Sequence, residues 1–185
     1  MDTGYGFILL KNNVFQDIML VFNAGVEFGI KEHMTVNVPL TFSPYTISDK
    51  WMLRTLSVQP EFRYWFKESR KGPFAGVHAH LGWYNVISCL FGKGTGTRFQ
   101  DKNGNHPLSG GGLSAGYGWI LDRNARWGVE LTAGVGYAYL DYDKFYNVDN
   151  GALSGSGTKN YFGITNLGFS FSYKFGSEKY RRDGE

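Results

Sequence analysis

Apolar and polar residues alternate with a period of two through nearly all of this 185-residue chain. Successive side chains of an extended strand point to opposite faces, whereas a helix repeats near 3.6 residues. The pattern therefore commits the chain to β-structure with one bulky apolar face and one small or polar face. The clearest run is 34–45, where Met34, Val36, Val38, Leu40 and Phe42 share one face and Thr35, Asn37, Thr41 and Ser43 share the other. Runs at 55–66, 74–83, 109–121, 127–139 and 166–175 repeat it, and a shorter one covers 23–30. The segment 7–15 is apolar and alternates poorly; it is taken as the first of eight strands.

Two stretches, 72–92 and 103–121, contain no Asp, Glu, Lys or Arg. Their lengths suit a transmembrane helix, but Pro73, the many glycines and the opening Asn103-Gly104-Asn105-His106-Pro107 do not. The connections between strands alternate in length. Those at 31–33, 67–72 and 122–126 are short and charged, and those at 15–22, 43–53, 87–107 and 141–160 are longer. Tight turns at one end and long loops at the other are the pattern of an outer-membrane barrel. The expected fold is an all-β, eight-stranded antiparallel up-and-down transmembrane β-barrel, one domain over 1–185, with the barrel at about 7–175 and a polar tail at 176–185.

An eight-stranded barrel has an interior wide enough only for side chains. The polar face, made of Gly, Ser, Thr and a few charges, fits that space. The apolar face is too bulky to pack there and is expected to meet lipid. Aromatic residues cluster where strands end, as amphipathic rings do at membrane interfaces. With both termini periplasmic, Trp65, Trp119, Trp127, Tyr173 and Phe175 form the lower girdle, and Trp51, Trp83 and Tyr139 belong to the upper one. Trp65 has inward parity and is expected just past the last paired residue of its strand. No signal peptide opens the numbered chain, so this location implies that one was removed.

Four strings carry a resemblance: VQPEFRYWF (58–66), FAGVHAHLGWYNV (74–86), GVGYAYLDYDKF (134–145) and KNYFGITNLGFSFSY (159–173). Together they resemble a family of small outer-membrane barrels of unknown function in Bacteroidetes, often encoded beside fimbrial genes. The resemblance implies an outer-membrane location and a barrel fold, and brings no catalytic residues. The residues after Phe175 depart from a typical barrel terminus.

The inward charges form a set in which Glu27, Glu61 and Glu130 balance Lys11, Arg63 and Lys174. The expected role is an ion-pair plug, with a selectivity filter as the alternative. Arg63 is expected to bridge to an acid on a neighbouring strand. His78 and His80, two apart on the same inward face, are expected to join the hydrogen-bond network rather than hold a metal or act as a base. Ser88 and Ser114 are the serines nearby, and no spacing marks either as a nucleophile. Cys89 is alone, which excludes an intrachain disulfide and a cysteine-type zinc site. Net charge is +3, and the one basic run, 179–182, lies in the tail, so nucleic acid is not an expected partner. The functional expectation is a non-enzymatic anchor, scaffold or accessory subunit of an envelope complex, without cofactor, metal or catalytic residue. Its expected partners are the bilayer, lipopolysaccharide and other surface proteins met through 87–107 and 141–160. An outer-leaflet lipid-modifying enzyme and a narrow pore are the alternatives.

Overall fold

The structure is a computed structural model that describes residues 6–48, 51–87, 97–148 and 150–175. The period-two segments are strands: β1 (Ile8–Asn13), β2 (Phe22–Lys31), β3 (Met34–Ser48), β4 (Trp51–Val58), β5 (Glu61–Trp65), β6 (Gly72–Ile87), β7 (Thr97–Asp101), β8 (Leu108–Ile120), β9 (Trp127–Tyr146) and β10 (Leu153–Phe175). A short helix, α1 (Val14–Ile18), follows β1, with Asn13 capping it through a bond from the Phe15 N–H to its side-chain oxygen (3.1 Å). Among the described residues no helix is long and apolar enough to cross a membrane, which says nothing about strands.

Every strand pairing is antiparallel, and the hydrogen bonds run round a ring. Successive positions round the wall pair in chain order, and β10, paired with β9, returns to β1 through Ile8↔Phe175 to Asn13↔Ser170. Ten strands fill eight positions. β4 and β5 share one position between β3 and β6, and β7 and β8 share another between β6 and β9. The first split falls at Gln59-Pro60, because proline has no N–H to give a ladder. The wall is bridged there by Gln59 N–H to Pro39 O (3.2 Å) and Ala79 N–H to Pro60 O (3.0 Å).

The alternation decides which way each side chain faces. Leu10, Phe28, Leu40, Leu56, Phe62, Leu81, Leu113, Leu131 and Phe171 are exposed on the outside, while Glu27, Thr35, Glu61 and Arg63 are buried inside. Soluble monomers rarely expose a continuous apolar patch of more than a few hundred Å². Here the apolar surface encircles the ring.

Several expected boundaries move. The connection expected at 141–160 is mostly strand: β9 and β10 continue as a hairpin, with Asp141↔Thr158 and Phe145↔Leu153 paired. The one expected at 43–53 is the paired end of β3 and β4, Ser43↔Thr55 to Ser48↔Trp51. β7 occupies part of 87–107, and α1 part of 15–22. Polar and glycine-rich composition suggested loops, but strand pairing needs only backbone groups and a neighbour. Ser88, Cys89 and the tail 176–185 lie outside the described residues, as does the side chain of Trp51.

Candidate functional site

The site is the interior of the ring, built in layers from the short-turn end. At the floor lie the inward residues of β1 and its approach, Phe7 and Leu9, both buried. Arg70 closes this end from the turn between β5 and β6. Its backbone is in the left-handed region (φ 74°), which a non-glycine residue adopts only under outside constraint. That turn folds the guanidinium inward to donate to Ala125 O (2.5 Å) and Arg126 O (3.3 Å) of the turn between β8 and β9. Lys174 places its ammonium 5.2 Å from the centre of the Phe7 ring, and Arg70 is 5.9 Å from the same ring. Above them Trp65 and Phe74 pack at 4.7 Å between ring centres, each 1% exposed. The Trp65 indole N–H donates to Thr35 Oγ1 (3.0 Å).

Trp65 thereby leaves the expected girdle. It is the last residue of β5, paired with Phe74, and its parity carries it into the interior. The strand does not end before it. A buried indole needs an acceptor, and Thr35 supplies one.

The next layer is a five-residue charge cluster. Arg63 donates to Glu61 (Nε to Oε2, 2.8 Å), Glu27 (Nη1 to Oε2, 3.1 Å) and Glu130 (Nη1 to Oε1, 2.9 Å). Lys11 donates to Glu27 and Glu130, both at 2.9 Å. The hydroxyls of Thr132 and Ser114 complete it, Thr132 on Glu130 (2.9 Å) and Ser114 on Glu61. The Arg63 guanidinium also lies 4.7 Å from the Phe74 ring centre, so its face is used as well as its edge. Arginine suits this position because its planar fork serves several carboxylates at once. The expected bridge exists, but Glu27 is on β2 and Glu130 on β9, neither of which pairs with β5. Arg63 reaches across the lumen, not to a neighbour. Lys174, the expected sixth member, sits one layer lower, with its ammonium over the Phe7 ring.

Over the cluster the interior is lined by uncharged polar groups and glycines. A cavity of about 60 Å³ lies among Asn13, Asn37, Gln59, Thr132 and Asn166, large enough for a few waters. His78 and His80 stand side by side, 5.9 Å between ring centres, and both are buried. Glycines opposite make room for them. A Cβ at Gly110 would lie 2.6 Å from His80 Nε2, and one at Gly112 would lie 2.9 Å from His78 Nε2. His78 Nε2 is 2.9 Å from Thr165 Oγ1. Thr165 has outward parity by its sequence position. A register shift between Ile164 and Asn166 turns it inward, as bulges re-aim side chains.

Of the predicted inward set, Lys11, Glu27, Glu61, Arg63, His78, His80, Glu130 and Lys174 are all buried, and five of them meet in the one cluster. His78 joins through Thr165; no hydrogen-bond partner of the His80 Nδ1 is present among the described residues. Sequence reasoning missed Arg70, Thr165 and the aromatic pair beneath the cluster. Inward parity at Trp65 and Phe74 was the available signal for the pair. On the outside, Trp83, Trp119, Trp127, Tyr139 and Phe175 are exposed, and Tyr173 packs between Trp127 (4.8 Å) and Phe175 (5.2 Å).

Chemically the cluster, with Ser114, clamps five strand positions together. Thr165 and His78 make a hydroxyl–imidazole contact, yet no partner orients the other nitrogen of His78, as a catalytic base requires. Among the described residues no group of three or more His, Cys, Asp or Glu is arranged to hold a metal ion. Residues 4–175 match the model of the family described as Protein of unknown function (DUF3575), and the chain belongs to that family. No curated protein matches the chain.

Proposed function

We propose that this member of the family is a transmembrane β-barrel of a Gram-negative outer membrane, with both chain ends on the periplasmic side and its lumen sealed by the Arg63 cluster. One observation supports this most strongly: a closed ring of strands whose charges are buried inside and whose Leu, Phe and Trp residues are exposed outside. Only helices and closed barrels satisfy their backbone in lipid, and this wall closes on itself. The exposed aromatics at strand ends fit the two interfacial girdles. Origin in Bacteroidetes and a place beside fimbrial genes belong to the same proposal and rest on the sequence resemblance alone.

Its role is that of a non-enzymatic anchor, scaffold or accessory subunit in a larger envelope complex, contacting lipopolysaccharide and surface proteins through the long-hairpin end. The sealed cluster argues against a pore. Membrane fractionation, co-purification from mild detergent and planar-bilayer recording test this together. The expected results are recovery in the outer-membrane fraction, a stable companion and a silent bilayer. Steady conductance that rises when Glu61 or Arg63 is shortened would convert the plug into a gate. A chain that always runs alone, with the hairpin 141–160 deletable without phenotype, would remove the scaffold role.

The contact between Thr165 and His78 favours a second reading, an outer-leaflet lipid-modifying enzyme. Lipid A mass spectra from cells with and without the protein decide it, since identical profiles end the idea.

A further inference from the structure

The ring wall is not equally complete at its two ends. β1 pairs with β10 only from Phe175 up to Ser170, and with β2 only from Phe28 to Gly25. Where β1 ends, α1 turns aside; Asn13 Nδ2 donates to Leu167 O (3.2 Å), and Phe15 packs on Phe169 at 6.3 Å between ring centres. β10 continues to Leu153 and is paired throughout with β9, but among the described residues no strand lies along its other edge above this point. The carbonyls of Ile164 and Thr165 accept from the Tyr161 hydroxyl and the Gln59 amide, both at 3.2 Å. That leaves 153–163 with one open edge, about 35 Å of strand at the usual rise. Exposure there is on both faces, unlike any paired strand: Thr158, Lys159, Asn160, Tyr161 and Phe162 are exposed in succession.

We propose that this edge, residues 153–163 of β10, accepts an extended segment of a partner protein, which occupies the vacant upward continuation of β1 and runs antiparallel to β10. The inference rests on the outer-membrane reading above. An open strand edge offers donors and acceptors alternating along its length, and only another main chain matches both in register. Lipid tails satisfy neither, so an edge that starts at the apolar belt is costly while bare. Natural edges are blunted by proline, charged side chains, bulges or short length. Residues 153–163 contain no proline and a single charge, Lys159. A second copy inserted in the same membrane presents β10 in the same direction, and so offers a parallel strand where the vacant position calls for an antiparallel one. Phe162, 80% exposed, and Ile164, 65% exposed, stand on the outer face of the edge, while the rings of Tyr142 and Tyr161 lie over Gly157 and Gly163. The fitting segment alternates, with bulky apolar residues outward beside Phe162 and Ile164.

Two measurements on the full chain test this. Amide hydrogen exchange of 153–163 is followed in outer-membrane vesicles and again after purification in detergent. The expected result is exchange about tenfold or more slower in vesicles, with 134–139 of β9 equally protected in both. Equally fast exchange at 153–163 in both settings would overturn the proposal. A photo-crosslinking residue at position 162, with one at 135 as the control on a strand paired on both sides, then identifies what lies there. A discrete protein adduct at 162, absent at 135, whose crosslinked peptide is an extended alternating segment is expected. An adduct of twice the chain's mass, or one of lipopolysaccharide alone, would overturn the partner strand. Absence of the protein from the outer-membrane fraction fails the membrane reading itself, and takes with it the argument against a second copy.

Discussion

The two ends of the lumen are built from different materials. The short-turn half is filled with Trp65, Phe74, Arg63 and three glutamates, each held by several partners. The long-hairpin half is glycine, histidine and hydroxyl, with a small cavity and an incomplete wall. The difference teaches where each kind of force holds a narrow ring of strands together. Below, multivalent charge ties strands that are distant in sequence and do not touch in the sheet. Above, close backbone packing on glycines and single hydrogen bonds do the work, and function has room.

The comparison breaks most visibly at Arg63. Arg63→Met leaves three carboxylates facing Lys11 alone and is expected to destabilise the folded protein by about 3–5 kcal/mol, because a buried charge is left uncompensated. Urea unfolding in lipid vesicles, read by tryptophan fluorescence, measures it. Adding Glu61→Gln should recover part of the loss, since Glu61 ion-pairs only with Arg63 in this cluster. A single variant as stable as the parent would show that the lower half is held by packing after all.

Gly110→Ala probes the upper half in the same assay. The added Cβ meets the Tyr137 carbonyl and His80 Nε2, and overpacking of this kind typically costs about 1–3 kcal/mol. Pairing it with His80→Ala removes only the imidazole clash, so a remaining defect assigns the rest to the backbone.

His78→Ala removes one hydrogen bond to Thr165 and should cost about 1 kcal/mol, well below the Arg63 effect. A loss as large as that of Arg63→Met would erase the distinction between the halves.

The smallest expected effect lies at the far end of the β9–β10 hairpin. The Asn103 N–H (2.9 Å) and the Ser156 hydroxyl (2.5 Å) donate to Asp143 and hold its carboxyl below the ordinary value of 3.8. A lowered folded pKa contributes stability that is full above the unfolded value and lost as pH falls through the folded one. Exchange protection of 102–106 should therefore be constant at neutral pH and fall only below about pH 4, while the Arg63 layer stays closed. Asp143→Asn should abolish that acid dependence.

Sequence alone determined which residues are inside. The alternation of side chains along a strand is a local property, so Lys11, Glu27, Glu61, Arg63, His78, His80, Glu130 and Lys174 could be placed in the interior before any pairing was known, and all are buried. The apolar outer face was legible for the same reason. What tertiary structure decided was reach and termination. Arg63 meets Glu27 and Glu130 because ring closure brings β2 and β9 across from β5, and no spacing in the chain encodes that approach. Trp65 is inside because β5 continues through it, and Thr165 is inside because a bulge reverses its parity. Arg70 enters the floor from a turn that has no periodicity to read. The hairpin 141–160 is strand because its two halves find each other, while the vacant place above β1 exists because α1 leaves the wall. Local alternation fixes a face; only closure of the ring fixes what that face meets.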